Sequence, residues 1–174
     1  MAHSVELLFD PDTEAAIRHD WETLAAAGLP SLAHHQSPTN RPHVTLTAAA
    51  RIDPGVDDAL AALAARLPVP CRIGAPVVFG RRTLTLVRSI VPTSELLAVH
   101  AAVDAACLPL MPTPPYDHTR PGQWTAHVTL ARRMTGPELV EALAAIGASD
   151  VEGSFTGLRR WDGDAKVDRL LGVR

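Results

Sequence analysis

The chain has 174 residues, 47% of them hydrophobic and 20% charged, and carries a formal charge of −3. This composition suits one globular domain, or two small lobes sharing a core. It excludes an apolar run of the roughly 18 residues that a membrane span needs, and it argues against a basic stripe tracking long nucleic acid. The opening "MAHSVELLFD" lacks the basic-then-apolar order of a secretion signal, and Cys71 and Cys107 form neither a CxxC pair nor a disulfide framework. They read as reduced, buried thiols, and the expected location is the cytoplasm.

"SVELLF" alternates as a first strand. Asp10-Pro11 then opens a helix to about Ala27, which Gly28-Leu29-Pro30 stops. Residues 30–41 have loop composition, and "HVTLTAA" follows as a strand. Asp53-Pro54 opens an alanine-rich helix ending near Leu67; "CRIGAPVVFG" and "TLTLVRSIV" are strands joined by a turn at Gly80-Arg81-Arg82. Thr93 or Ser94 caps a helix to about Cys107, and a loop with five prolines leads to the strand "AHVTLARRM". A helix from about Pro137 to Ile146 precedes "VEGSFTGLRRW" and "KVDRLLGV", strands hinged at Asp162-Gly163.

The order of elements repeats: helix, HVTL strand, helix, strand, turn, strand. The spans from His43 to Gly80 and from His127 to Gly163 differ by one residue. This reads as an internal duplication within a single domain, 1–174, with half-repeats of about 10–91 and 92–174 and strand 4–9 added. The expected fold class is α+β: a two-lobed, pseudo-two-fold structure with two antiparallel sheets flanking a central cleft and helices outside.

On a strand, side chains alternate, so His43 and Thr45 share one face while Val44 and Leu46 face the core; His127 and Thr129 repeat the arrangement. Two imidazoles across a cleft suit concerted acid–base work, since their ordinary pKa of about 6.5 lets one be neutral and the other protonated near neutrality. In-line displacement at phosphorus needs a base and an acid on opposite sides, and threonine hydroxyls can donate to the non-bridging oxygens. A lone histidine ordinarily completes a strand; recurrence at matched positions favours chemistry. No HExxH motif, cysteine pair or suitably spaced carboxylate indicates a metal. "DGDAKVD" at 162–168 fails as a calcium loop because its twelfth position would be Val173. Arg81–Arg82, Arg132–Arg133 and Arg159–Arg160 read as solvated edges or turns. His34, His35 and His118 read as solvated loop residues, and His3, His19 and His100 have no recognisable partner.

Paired His-x-Thr motifs, one in each half of a duplicated α+β chain, resemble the two-histidine (2H) phosphoesterase superfamily. "HVTLAR" is especially similar to the branch named for 2'-5' RNA ligase and RNA 2',3'-cyclic phosphodiesterase. The resemblance implies a metal-independent, cofactor-free enzyme that opens 2',3'-cyclic phosphates to 2'-phosphate ends. His43 and His127 would be its acid–base pair, and Thr45 and Thr129 its phosphate donors. It also implies phosphate contact by Arg132, five residues after the second histidine. Strand parity instead puts Arg133 on the face of His127, unless a bulge or strand end follows Leu130. The branch commonly has Phe-Leu-Gly after its first motif and proline before the second histidine; here stand "TAAAR" and Ala126.

The expected partner is a cyclic nucleotide or a short RNA with a cyclic phosphate end, with no membrane and no obligate protein partner. Residues 109–121 could form a lid, with Tyr116 or Trp124 stacking on a base. The alternatives are a nucleotide-binding module without turnover, or 2'-5' joining of RNA ends by the reverse chemistry.

Overall fold

The computed structural model describes residues 1–172. Among these residues, seven strands and four α-helices follow in the order β1 (His3–Phe9), α1 (Pro11–Ala26), β2 (His43–Ala49), α2 (Asp57–Ala64), β3 (Val69–Phe79), β4 (Leu84–Ile90), α3 (Ser94–Cys107), β5 (His127–Met134), α4 (Gly136–Ala145), β6 (Val151–Asp162) and β7 (Val167–Leu171). The α+β class is as expected. The helix expected after Asp53-Pro54 is divided: the Asp53 carboxylate caps a single 3-10 turn at Pro54–Val56, and α2 starts only at Asp57. The hairpin after Asp162 uses a four-residue turn rather than a two-residue one. The expected extension of its second strand to Val173 lies outside the described residues.

All strand pairings are antiparallel, in the order β2-β1-β6-β3-β4-β5, with β7 added to β6. The two expected sheets are therefore joined, because β6 is long enough to serve both halves. It pairs with β1 through 155–161, and with β3 through 151–155. The two HVTL strands form the two ends of this path, and β2 and β5 pack against each other.

Helix α1 presents Ile17, Trp21 and Leu24 as one buried stripe, and α3 presents Leu96, Val99, Val103 and Cys107. These meet Val44, Leu46, Val128 and Leu130 from the HVTL strands in the core. Each such side chain taken out of water contributes about 1.5–3 kcal/mol before entropy is subtracted. Asp10 caps α1 by accepting from the Thr13 backbone and hydroxyl at 2.9 and 2.7 Å, and it also accepts from Ser154 N at 2.6 Å. A Cβ at Gly153 would fall 1.7 Å from Thr13 Oγ1, so this approach of helix to sheet requires glycine.

Arg159–Arg160 is not a solvated edge. The pair lies within β6, and adjacent strand residues point to opposite faces, so each guanidinium is buried and needs its own carboxylate. Arg160 forms a two-point pair with Asp57 at 2.6 and 3.0 Å. Arg81–Arg82 is exposed in its turn, as expected. Burial pushes the Cys71 and Cys107 thiols up to about 12, consistent with inert core positions. Among the described residues, no helix is long and apolar enough to cross a membrane.

Candidate active site

In both motifs the alternation read from sequence is realised. Val44, Leu46, Val128 and Leu130 are fully buried, whereas His43, Thr45, His127 and Thr129 are half-buried. The two rings are held identically. His43 Nδ1 lies 2.8 Å from the Arg41 carbonyl and His127 Nδ1 2.6 Å from the Thr125 carbonyl, each two residues upstream. A carbonyl only accepts, so Nδ1 carries the proton and the neutral ring keeps its lone pair on Nε2.

Two tryptophans tie the motifs across the molecule. Trp21 of α1 donates its indole N–H to the Thr129 carbonyl at 3.0 Å, and Trp124 donates to the Thr45 carbonyl at 2.9 Å. Each motif strand ends the sheet, where backbone acceptors lack a neighbour, and each threonine carbonyl is satisfied from the other half.

The surroundings of the two rings differ, His43 having both the Arg159 guanidinium, 3.5 Å from its Nδ1, and a carboxylate at hand. Burial lowers the pKa of His127 below the ordinary imidazole value; its bond to Thr125 opposes this, and positive charge on His43, His118 and Arg132 adds to the lowering. The strands that carry the two rings, β2 and β5, pack against each other. Phe79 packs edge-on against His127, with centroids 4.9 Å apart. His43 instead faces a carboxylate: Glu6 Oε1 stands 3.7 Å from its Nε2. Burial works to raise the Glu6 pKa. The charges of His43 and Arg159, with hydrogen bonds from Ser4 at 2.6 Å and Arg159 at 2.7 Å, outweigh burial and lower it. Arg159 also donates to Asp168 and to the Thr39 carbonyl, both at 2.9 Å.

Arg132 and Arg133 lie at a bulge. Register against β4 shifts on both sides of Ala131, so Leu130 and Ala131 are both buried and the two arginines are both exposed. The parity conflict disappears, since the bulge puts both side chains on the rim of one cavity. That cavity, about 520 Å³, opens beside His43 and includes Glu6, His35, Thr39, Arg132, Arg133 and Arg159 in its walls. Arg133 sits at φ 60, a left-handed conformation costing a non-glycine residue of order 1–3 kcal/mol.

Sequence reasoning missed Glu6, Arg159 and Trp21. Glu6 carried no signal, as a charge at an alternating strand position is ordinary. Arg159 carried one, because two adjacent charges within a strand cannot both face solvent when one face is core. Of the two aromatics expected to stack on a base, Trp124 is not free to do so. Trp124 is stacked on His100 at 4.0 Å and bonded to β2, so its ring is committed to packing. His100, expected to be unpartnered, is buried there and also donates to the Thr119 carbonyl at 2.8 Å. Tyr116 is exposed but lies parallel to His118, centroids 6.0 Å apart. His3, likewise expected to lack partners, is buried near Asp162 and Asp164 on the β6–β7 turn, at 3.4 and 3.2 Å.

An antiparallel α+β fold with a His-x-Thr motif on each of two strands that pack together is that of the two-histidine phosphoesterases. The family model for the 2'-5' RNA ligase superfamily matches residues 11–166, and the chain belongs to that superfamily. Among solved structures, TT0787 of Thermus thermophilus is 17% identical with a TM-score of 0.58, covering 98% of this chain and 95% of that one. Usb1 of Kluyveromyces marxianus is 13% identical (TM-score 0.55; 99% and 98% covered), and LigT of E. coli in its apo form is 15% identical (TM-score 0.53; 99% and 94%). At these identities the likeness establishes the fold. Related structures hold uridine monophosphate in that Usb1 and 3'-AMP in that LigT. No curated protein matches the sequence.

Proposed function

We propose that this chain, acting as one domain of two half-repeats, hydrolyses 2',3'-cyclic phosphate ends of nucleotides or short RNA by two-histidine acid–base catalysis. The observation that carries the reading is the matched presentation of two Nε2 atoms, each ring's Nδ1 fixed on a carbonyl two residues upstream, on strands β2 and β5 that pack against each other.

His127, kept neutral by burial and surrounding cations, removes a proton from water as the water oxygen attacks phosphorus. His43, with Glu6 beside it to balance an imidazolium, delivers a proton to O3' as the P–O3' bond breaks. One water is consumed and the product is a 2'-phosphate with a free 3'-hydroxyl. Thr45 and Thr129 donate to the non-bridging oxygens, and Arg132 offsets the charge that develops there. Every step uses a side chain of this chain and none calls for a Lewis acid. With a 5'-hydroxyl in place of water, the same acid–base pair joins ends: His127 takes the hydroxyl proton as the P–O5' bond forms, and His43 protonates O3' as the P–O3' bond breaks.

Purified protein is expected to open 2',3'-cyclic nucleotides at the same rate with and without chelator. His43→Ala and His127→Ala should each lower kcat by about 10²–10⁴-fold. Wild-type turnover in either variant refutes the roles given. Tight nucleotide binding beside zero hydrolysis, measured by calorimetry and chromatography, would make the cleft a binding module instead.

A further inference from the structure

Beyond the phosphate at the histidines, we infer that the cavity beside His43 holds a second phosphate, with Arg133 as its principal contact. This rests on reading the cleft as a phosphodiester site, but its test does not require turnover.

Three observations converge. First, Arg133 keeps a left-handed backbone that glycine or asparagine would adopt more easily, at an exposed position on the cavity lining. What distinguishes arginine there is its guanidinium. Second, among the described residues neither Arg132 nor Arg133 lies within ion-pairing distance of a carboxylate. Arg159 on the same cavity is already matched by Glu6 and Asp168. The cavity therefore carries two uncompensated cations on one wall. Third, the cavity extends to one side of the motif pair: His43 and both arginines are in its walls, whereas Thr45, His127 and Thr129 are not. With Arg132 assigned to the reacting phosphate, Arg133 is left for a group bound in this space.

The 37–40 part of the lining is prearranged. Asn40 Nδ2 donates to the Leu32 and His35 carbonyls at 2.9 and 3.0 Å, and Arg159 holds the Thr39 carbonyl. This fixes the Ser37 and Thr39 hydroxyls, hydrogen-bonded to each other at 2.8 Å, in the lining of the same cavity as the two arginines. Guanidinium groups with a hydroxyl donor suit a tetrahedral anion. A substrate filling both positions carries two phosphates on one nucleotide chain: a 5'-phosphorylated mononucleotide, or an oligonucleotide whose internal phosphodiester lies in the cavity.

Calorimetry with adenosine 2'-monophosphate, adenosine 2',5'-bisphosphate and the dinucleotide ApA bearing a 2'-phosphate tests this on intact protein. At least one two-phosphate ligand should bind about 10–100-fold tighter than the monophosphate, the range expected of a charge-assisted contact. A gain for the bisphosphate identifies a terminal phosphate; a gain for ApA alone identifies an internal one. Arg133→Gln should bring the ratio close to one, and Arg133→Lys should retain part of it. Equal affinities for all three ligands, or an unchanged ratio in Arg133→Gln, overturns the inference. If the ratio is present and no cyclic phosphate is turned over, the catalytic reading fails and the second subsite stands. Turnover with no ratio gives the converse.

Discussion

At the scale of single residues, the motif histidines are chemically alike and differently surrounded. Burial and positive charge hold the His127 pKa down, whereas His43 has the buried Glu6 carboxylate and the Arg159 guanidinium beside it. The consequence can be read in the pH dependence of kcat/KM, which reports groups of the free enzyme. A base must be unprotonated, so activity falls on the acid side as His127 takes up its proton. Removing a nearby cation lets the ring hold that proton to higher pH. Arg132→Gln should therefore move the acid limb of the profile to higher pH while also lowering kcat. A limb that stays in place would separate Arg132 from the titration of His127. The identities of His43, Thr45, His127 and Thr129 were legible from repetition and alternation alone. Glu6 was not, because its relation to His43 arises from the register that sets Leu8 opposite His43 and Glu6 opposite Thr45, and nothing local encodes that register.

At the scale of elements, the HVTL strands are sheet ends whose outward carbonyls are closed by indoles. Trp21→Phe keeps the core volume nearly intact but leaves the Thr129 carbonyl without its donor. The expected cost is about 1–3 kcal/mol in urea unfolding, the penalty for an unsatisfied buried acceptor. An unchanged midpoint would mean that water replaces the indole at no cost. Helix limits at Asp10, Thr93 and Thr135 follow from side-chain caps that the sequence spells out: each accepts from a backbone N–H in the first turn. The β5 bulge had no comparable signature. "LARRM" alternates as poorly as many regular strands, and only the pairing of β5 with β4 shows where the extra residues fall.

Across the whole molecule, Glu6 and Arg159 join β1, β2, β6 and β7 beneath the cavity. Because the folded-state pKa of Glu6 lies below its ordinary 4.5, its contribution to stability is complete above that value. As pH falls below 4.5 the unfolded chain binds a proton that the folded chain refuses, so stability declines until the folded pKa is passed. Glu6→Gln should lower stability at pH 6, by about 3 kcal/mol if the buried arginine is left half-paired. It should also show a smaller drop between pH 6 and pH 4 than the parent. Equal pH slopes in urea midpoints would remove Glu6 from the acid response.

By itself the sequence determined which chemical groups are available and how often. Two HVTL segments at matched places in a repeated order of elements define two imidazole–hydroxyl pairs on strands whose other face is core. Tertiary structure alone decided what those groups become. Whether an imidazole sees a carboxylate or cations, whether Arg132 and Arg133 share a rim, and whether Arg159 is solvated or buried depend on separations through space. Coulomb interaction falls with that separation and grows as water is excluded, and neither quantity is written in the spacing along a chain.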